Sequence, residues 1–103
     1  MPLYVRTSGE ACRVRIDGEM NIYNAGEIKE GLIKAVADAR DIALDLSGVS
    51  EIDTAGLQVL LLARREAQRC EKPFRMALAS PQVEAVIGLF DLRDFFGAER
   101  ESA

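Results

Sequence analysis

Histidine and tryptophan are absent from this 103-residue chain. Histidine is the usual general base and the commonest metal ligand, so its absence removes triad-type nucleophilic catalysis and a histidine-built metal site. Cysteine is scarce, with only Cys12 and Cys70. Two reduced thiols acting as small hydrophobes are expected, rather than a disulfide framework. No run of lysine or arginine stands out, and the net charge is −4. Nucleic acid and anionic membranes are therefore poor default partners. No apolar run approaches the ~20 residues that span a bilayer, and the N-terminus lacks a charged-then-apolar signal pattern. Direct membrane insertion is not expected, and the chain reads as cytoplasmic. Internal repeats, linkers and low-complexity tracts are missing as well. What is present is a 49% hydrophobic composition, in a length sufficient for one domain with its own core.

Leu3 to Arg6 and Cys12 to Asp17 alternate apolar and polar residues around Thr7, Ser8, Gly9 and Glu10, the pattern of a β-hairpin. In the second run Cys12, Val14 and Ile16 share one face while Arg13, Arg15 and Asp17 share the other, so one side is expected to be covered and the other wet. Gly18 to Asn21 then leads out of the strand. Asn24 followed by Glu27 reads as a variant capping box, opening a helix striped by Ile28, Leu32, Ala35, Val36 and Ala39. Asp41 to Leu46 is almost continuously apolar and suits a central strand buried on both faces.

A second helix carries Gly56, Leu60, Ala63, Ala67 and Cys70, a stripe of mostly small residues suited to close packing on a sheet. Leu57, Leu61 and Leu62 lie off that stripe and form a collar at the helix start. Burial of the collar under neighbouring elements is expected, with partial exposure toward a partner as the alternative. Pro73 stops the helix, and Phe74 to Ala79 forms another strand. Ser80 and Pro81 open a third helix along Val83, Val86, Ile87 and Phe90. Asp91 to Gly97 adds a helical turn, and residues 98–103 form a frayed tail. The order β-β-α-β-α-β-α predicts a single α/β domain over residues 1–97. Its mixed sheet has an antiparallel N-terminal hairpin, and its helices pack mainly on one face.

Asp53, Thr54, Ala55, Gly56 and Leu57 join the central strand to the second helix. They place a hydroxyl at a helix N-terminus, where backbone N–H groups lack intrahelical partners. Asp53 or Thr54 can simply cap the helix, a contribution of about 1 kcal/mol. A nucleophile elbow fails on detail, because Ile52 stands where G-x-S-x-G requires glycine and no histidine is available. A P-loop is excluded, since no Gly-Lys-Ser/Thr follows the strand. The chain is therefore not read as an enzyme, and no cofactor or metal is expected. The functional reading that stands beside the cap is a phosphoacceptor. Ala55 and Gly56 let a kinase approach Thr54, and a phosphate would add roughly −1.5 to −2 charges beside Glu51 and Asp53. Ser47 and Ser50 are the neighbouring competitors.

The run G-E-M-N-I-Y-N-A from Gly18 to Ala25 and the run D-L-S-G-V-S-E-I-D-T-A-G-L from Asp45 to Leu57 resemble a STAS domain, the fold of anti-sigma factor antagonists. Ser80 with Pro81 fits the same pattern, and the resemblance covers nearly the whole chain. It implies that Thr54 is phosphorylated by a partner that is both a serine/threonine kinase and an anti-sigma factor. The dephosphorylated protein would bind that partner, and a phosphatase would reset the switch. The implied partner-binding surface is Asn21, Tyr23, Asp53, Thr54, Ala55, Gly56, Leu57 and Leu61. Asn21 stands where the family often has an acidic residue, which removes one like charge near a phosphate. Short members of the family also include subunits bound to ABC-transporter ATPases for lipid transport, and proteins encoded with chemotaxis or stress-signalling modules. A permanent transporter subunit is thus one alternative, and a domain that binds nucleotide or another anion at the elbow is a second.

Overall fold

The structure is a computed structural model that describes residues 3–8 and 11–89. Its elements are β1 (Leu3–Ser8), β2 (Ala11–Met20), α1 (Ala25–Asp38), β3 (Asp41–Ile52), α2 (Thr54–Arg69), β4 (Phe74–Ala79) and α3 (Pro81–Leu89). The order matches the expected one. The turn at Gly9 and Glu10, Phe90, the added turn over 91–97 and the tail over 98–103 lie outside the described residues.

The four strands lie in sequence order in one sheet, β1-β2-β3-β4. β1 pairs antiparallel with β2, and the β2–β3 and β3–β4 pairs are parallel. Alternation decides which face is covered: Cys12, Val14 and Ile16 are buried while Arg13 and Arg15 are exposed. The buried set joins Ile28, Leu32 and Val36 of α1, Leu60, Ala63 and Ala67 of α2, and Val83 and Ile87 of α3 in one apolar cluster. Helices therefore occupy one face of the mixed sheet. Among the described residues no helix is long and apolar enough to cross a membrane.

Two strands run further than their sequence pattern implies. β2 continues to Met20 and β3 to Ile52, whereas the patterning of side chains accounts for them only to Asp17 and Leu46. Ser47, Gly48 and Ser50 are poor strand formers, but pairing in the sheet overrides their propensity. The pairing continues as Asp17↔Gly48, Gly18↔Val49, Glu19↔Glu51 and Met20↔Ile52, through register shifts between Arg15 and Asp17 and between Gly18 and Glu19. Gly18 absorbs the second shift with φ of 85°, a conformation open to glycine at little cost. The extension carries the two strand ends side by side, and this juxtaposition builds the elbow.

The first helix start also differs from its expected form. Asn24 has helical backbone angles and makes no side-chain cap. Its amide nitrogen instead donates to the carbonyl of Glu19 at 2.8 Å. The turn is organised by Asn21, whose Oδ1 accepts the N–H groups of Tyr23 at 3.0 Å and Asn24 at 3.2 Å. Chain direction is already turned before Asn24, so the capping box has no role to fill. The third start is as expected, with Ser80 Oγ accepting the N–H of Val83 at 3.2 Å.

α2 ends in a Schellman arrangement, with Glu71 N–H donating to Gln68 O at 3.0 Å and Lys72 N–H to Ala67 O at 2.9 Å. Glu71 takes the left-handed position with φ of 58°. Both cysteines are free: Cys12 lies in the core as expected, whereas Cys70 is exposed at the end of α2 rather than completing its buried stripe.

Candidate functional site at the elbow

The end of β3 turns into α2 through a single residue, Asp53. Its extended backbone (φ −115°, ψ −171°) leaves the strand, and Thr54 is the first residue of the helix. Asp53 Oδ1 accepts the N–H of Gly56 at 3.1 Å and is therefore the cap. The other carboxylate oxygen, Oδ2, accepts the N–H of Ile22 at 3.2 Å, from the turn that follows β2. The backbone N–H of Asp53 donates to Met20 O at 3.1 Å. One residue thus caps the helix and fastens the neighbouring turn to it.

Close approach completes the elbow. A Cβ on Gly56 would lie 2.8 Å from the Met20 side chain and 3.0 Å from its carbonyl carbon, and would overlap the Met20 carbonyl oxygen. Glycine lets the first turn of α2 sit directly against the end of β2.

The two readings of the Thr54 hydroxyl separate here. Asp53 holds the cap, and among the described residues no hydrogen bond engages the hydroxyl of Thr54, which is exposed. Ser47 is differently placed, its hydroxyl donating to Asp45 Oδ1 at 2.6 Å. The surroundings are acidic: Glu19 and Glu51 are exposed and directly opposite each other in register, one residue before Met20 and Ile52. No group of three or more His, Cys, Asp or Glu side chains that could hold a metal occurs among the described residues.

Tyr23, at 90% exposure, stands next to Ile22 in the turn fastened to Asp53, and Asp53 is also exposed. Asn21, Ala55 and Leu61 are half-buried, while Gly56 and Leu57 are buried and shape the elbow from beneath. The leucine collar is divided: Leu57 enters the core, Leu61 is half-buried against it, and Leu62 stands exposed. Sequence reasoning missed Ile22, which is 68% exposed next to Tyr23. Its signal was an apolar side chain inside a polar turn, in phase with neither flanking stripe.

A family model described as "Mlab, STAS domain" matches residues 3–97. Among solved structures, an anti-sigma factor antagonist from Mycobacterium paratuberculosis superposes with a TM-score of 0.84 at 23% identity, covering 93% of this chain and 82% of that one. The anti-sigma factor antagonist SpoIIAA in its unphosphorylated form gives 0.77 at 18% identity, covering 97% and 90%. The Bacillus cell fate determinant SpoIIAA in its phosphorylated form gives 0.73 at 17% identity, covering 97% and 93%. At these identities the structures establish a common fold, and the family match spans most of the sequence. The chain belongs to the STAS domain family.

Proposed function

We propose that this protein is an anti-sigma factor antagonist, a protein-binding switch controlled by phosphorylation of Thr54. The observation that carries this reading is the division of labour between adjacent residues. Asp53 caps α2 while the Thr54 hydroxyl is exposed and unengaged, so modification leaves the helix start intact. Ile22 and Tyr23 supply exposed apolar surface next to it, where a partner gains by burial. The partner is a serine/threonine kinase that is also an anti-sigma factor, and a phosphatase restores the binding form. The similarity to a protein solved in both phosphorylated and unphosphorylated forms supports the same reading.

A phosphate on Thr54 would place about two negative charges beside Glu51 and Asp53. The helix N-terminus favours that charge by roughly 0.3–1 kcal/mol, and the carboxylates oppose it by a similar amount. Folding is thus nearly indifferent to it. In a partner interface the same charge must shed water, at an effective cost of several kcal/mol. Incubation with the cognate kinase and ATP, followed by mass spectrometry, tests the assignment. Phosphate on Thr54 is expected, and phosphate on Ser47 or Ser50 with Thr54 unmodified overturns it.

A second reading keeps the surface and discards the switch: a subunit bound permanently to a transporter ATPase. The exposed Ile22 and Tyr23 favour it, because apolar contact needs no phosphate control. Co-purification separates the two, since a permanent subunit stays with its ATPase whether or not ATP is added. Binding of nucleotide or another anion at the elbow is disfavoured by Glu19, Glu51 and Asp53, which repel it.

A further inference from the structure

Two rows of side chains cross the sheet on the face opposite the helices. In the first, Arg6 stands opposite Arg13, Arg13 beside Ala43, and Ala43 beside Arg75. In the second, Tyr4, Arg15 and Asp45 occupy the corresponding places. Arg15 is neutralised locally, its Nε lying 2.8 Å from Asp17 Oδ1. Arg6 and Arg13 are both exposed and neither forms an ion pair among the described residues, although the charge of Arg13 is felt by Asp45 in the neighbouring row. Like charges directly opposite one another weaken a strand pair. Ala43, the small residue in the row, leaves a hollow of about 330 Å³ bordered by Arg6, Arg13 and Arg75. A chain of net charge −4 thus concentrates cations on one face, against the interest of its own strand pairing.

We propose that this row is a second docking surface, for an acidic segment of a partner protein. Arginine forks match carboxylates in a two-point geometry, and arginine and tyrosine are the residues that dominate protein interfaces. Tyr4, 55% exposed, stands beside the row. Strands spaced at about 4.8 Å spread Arg6 to Arg75 over roughly 14 Å, and alternate residues of an extended segment place carboxylates about 7 Å apart. A short acidic segment can therefore lie across the strands and meet the whole row. A membrane or nucleic acid presents its charge over a much wider area and would also meet the acidic remainder of the surface. The row lies toward the N-terminal end of β3 and Thr54 follows its C-terminal end, and the strand between them spans roughly 30 Å. Both surfaces can be occupied at once, making the domain a bridge between two partners.

Fluorescence anisotropy with a short fluorescein-labelled peptide alternating glutamate and serine tests this on the full chain. Saturable binding is expected, weakening as salt rises. Arg13→Gln should lower affinity about tenfold, and the Arg6→Gln, Arg13→Gln pair should abolish binding. The melting temperature of Arg13→Gln should stay within about 3 °C of the parent, because relief of the charge opposed to Arg6 offsets loss of the favourable charge near Asp45. Thr54→Ala should bind the peptide like the parent, which keeps this result separate from that of the elbow. Absence of binding by the parent, or undiminished binding by the double variant, overturns the proposal. So does preference for duplex DNA or phosphatidylserine vesicles over the peptide, or self-association lost in the same double variant.

Discussion

The carboxylate of Asp53 reaches back to the N–H of Ile22 at 3.2 Å, joining residues 31 positions apart in the chain. Through its other oxygen it caps α2 at Gly56, so one side chain ties the exposed turn to the helix bearing Thr54. A surface built this way is preorganised for a partner, and ordering it on binding costs little.

Asp53→Ala removes both hydrogen bonds and should destabilise the domain by about 1–2 kcal/mol. Asp53→Asn keeps one accepting oxygen and should lose less. Urea denaturation measures the stability, and amide exchange at Ile22 should accelerate in both variants. Unchanged exchange in Asp53→Ala would mean that the turn is held by Asn21 alone.

Gly56→Ala should cost about 1–3 kcal/mol, because the new methyl is driven into the Met20 backbone rather than into a yielding side chain. Thermal unfolding checks this, with Gly26→Ala as control, since a Cβ there meets nothing within 4 Å. Equal behaviour of the two variants would contradict the close approach.

Thr54→Ala should change stability by no more than about 0.5 kcal/mol, less than a lost cap, since the cap is Asp53. Under the proposed function the variant binds its partner constitutively. Thr54→Glu should keep its melting temperature within about 3 °C and lose partner affinity about a hundredfold. Calorimetry and pull-down on one sample read both halves, and joint collapse of melting and binding would mean that the charge unfolds the elbow.

Glu71→Gly should raise stability by about 0.5–1 kcal/mol, because glycine adopts the left-handed end of α2 without the strain that a Cβ imposes at φ of 58°. A higher urea midpoint with an unchanged slope is the expected result.

Asp45 gives the domain an acid-sensitive contact. Burial pushes its carboxyl upward, but hydrogen bonds from the Ser47 hydroxyl and N–H, with the charges of Arg15 and Arg13, outweigh that and leave it below the ordinary carboxylate value. The folded protein therefore holds this proton more weakly than the unfolded chain does. The stabilisation is complete above about pH 4 and is lost as pH falls through the lowered folded value. Asp45→Asn should flatten that part of the stability curve in urea titrations, and an unaltered acid slope would assign it to other carboxylates.

The element order, the covered face of β2 and the position of Thr54 at a helix start were legible in the amino-acid sequence, because periodicities of two and 3.6 record which side chains face a common core. The burial of Ile28, Leu32, Ala35 and Val36 along α1 follows that rule directly. Other features depended on residues distant in the chain. Ser47 to Ile52 became strand only because β2 offered partners through two register shifts, which a local pattern cannot anticipate. Asn24 lost its capping role to the turn built by Asn21. The choice between Asp53 and Thr54 as cap was open in the sequence, since both types serve at that position. It was decided when the end of β2 brought the Ile22 N–H within reach of a carboxylate, which has two accepting oxygens where a hydroxyl has one. Likewise, Arg6, Arg13 and Arg75 form no run in the chain. Only strand pairing places them in one row, because proximity across a sheet is set by register rather than by sequence distance.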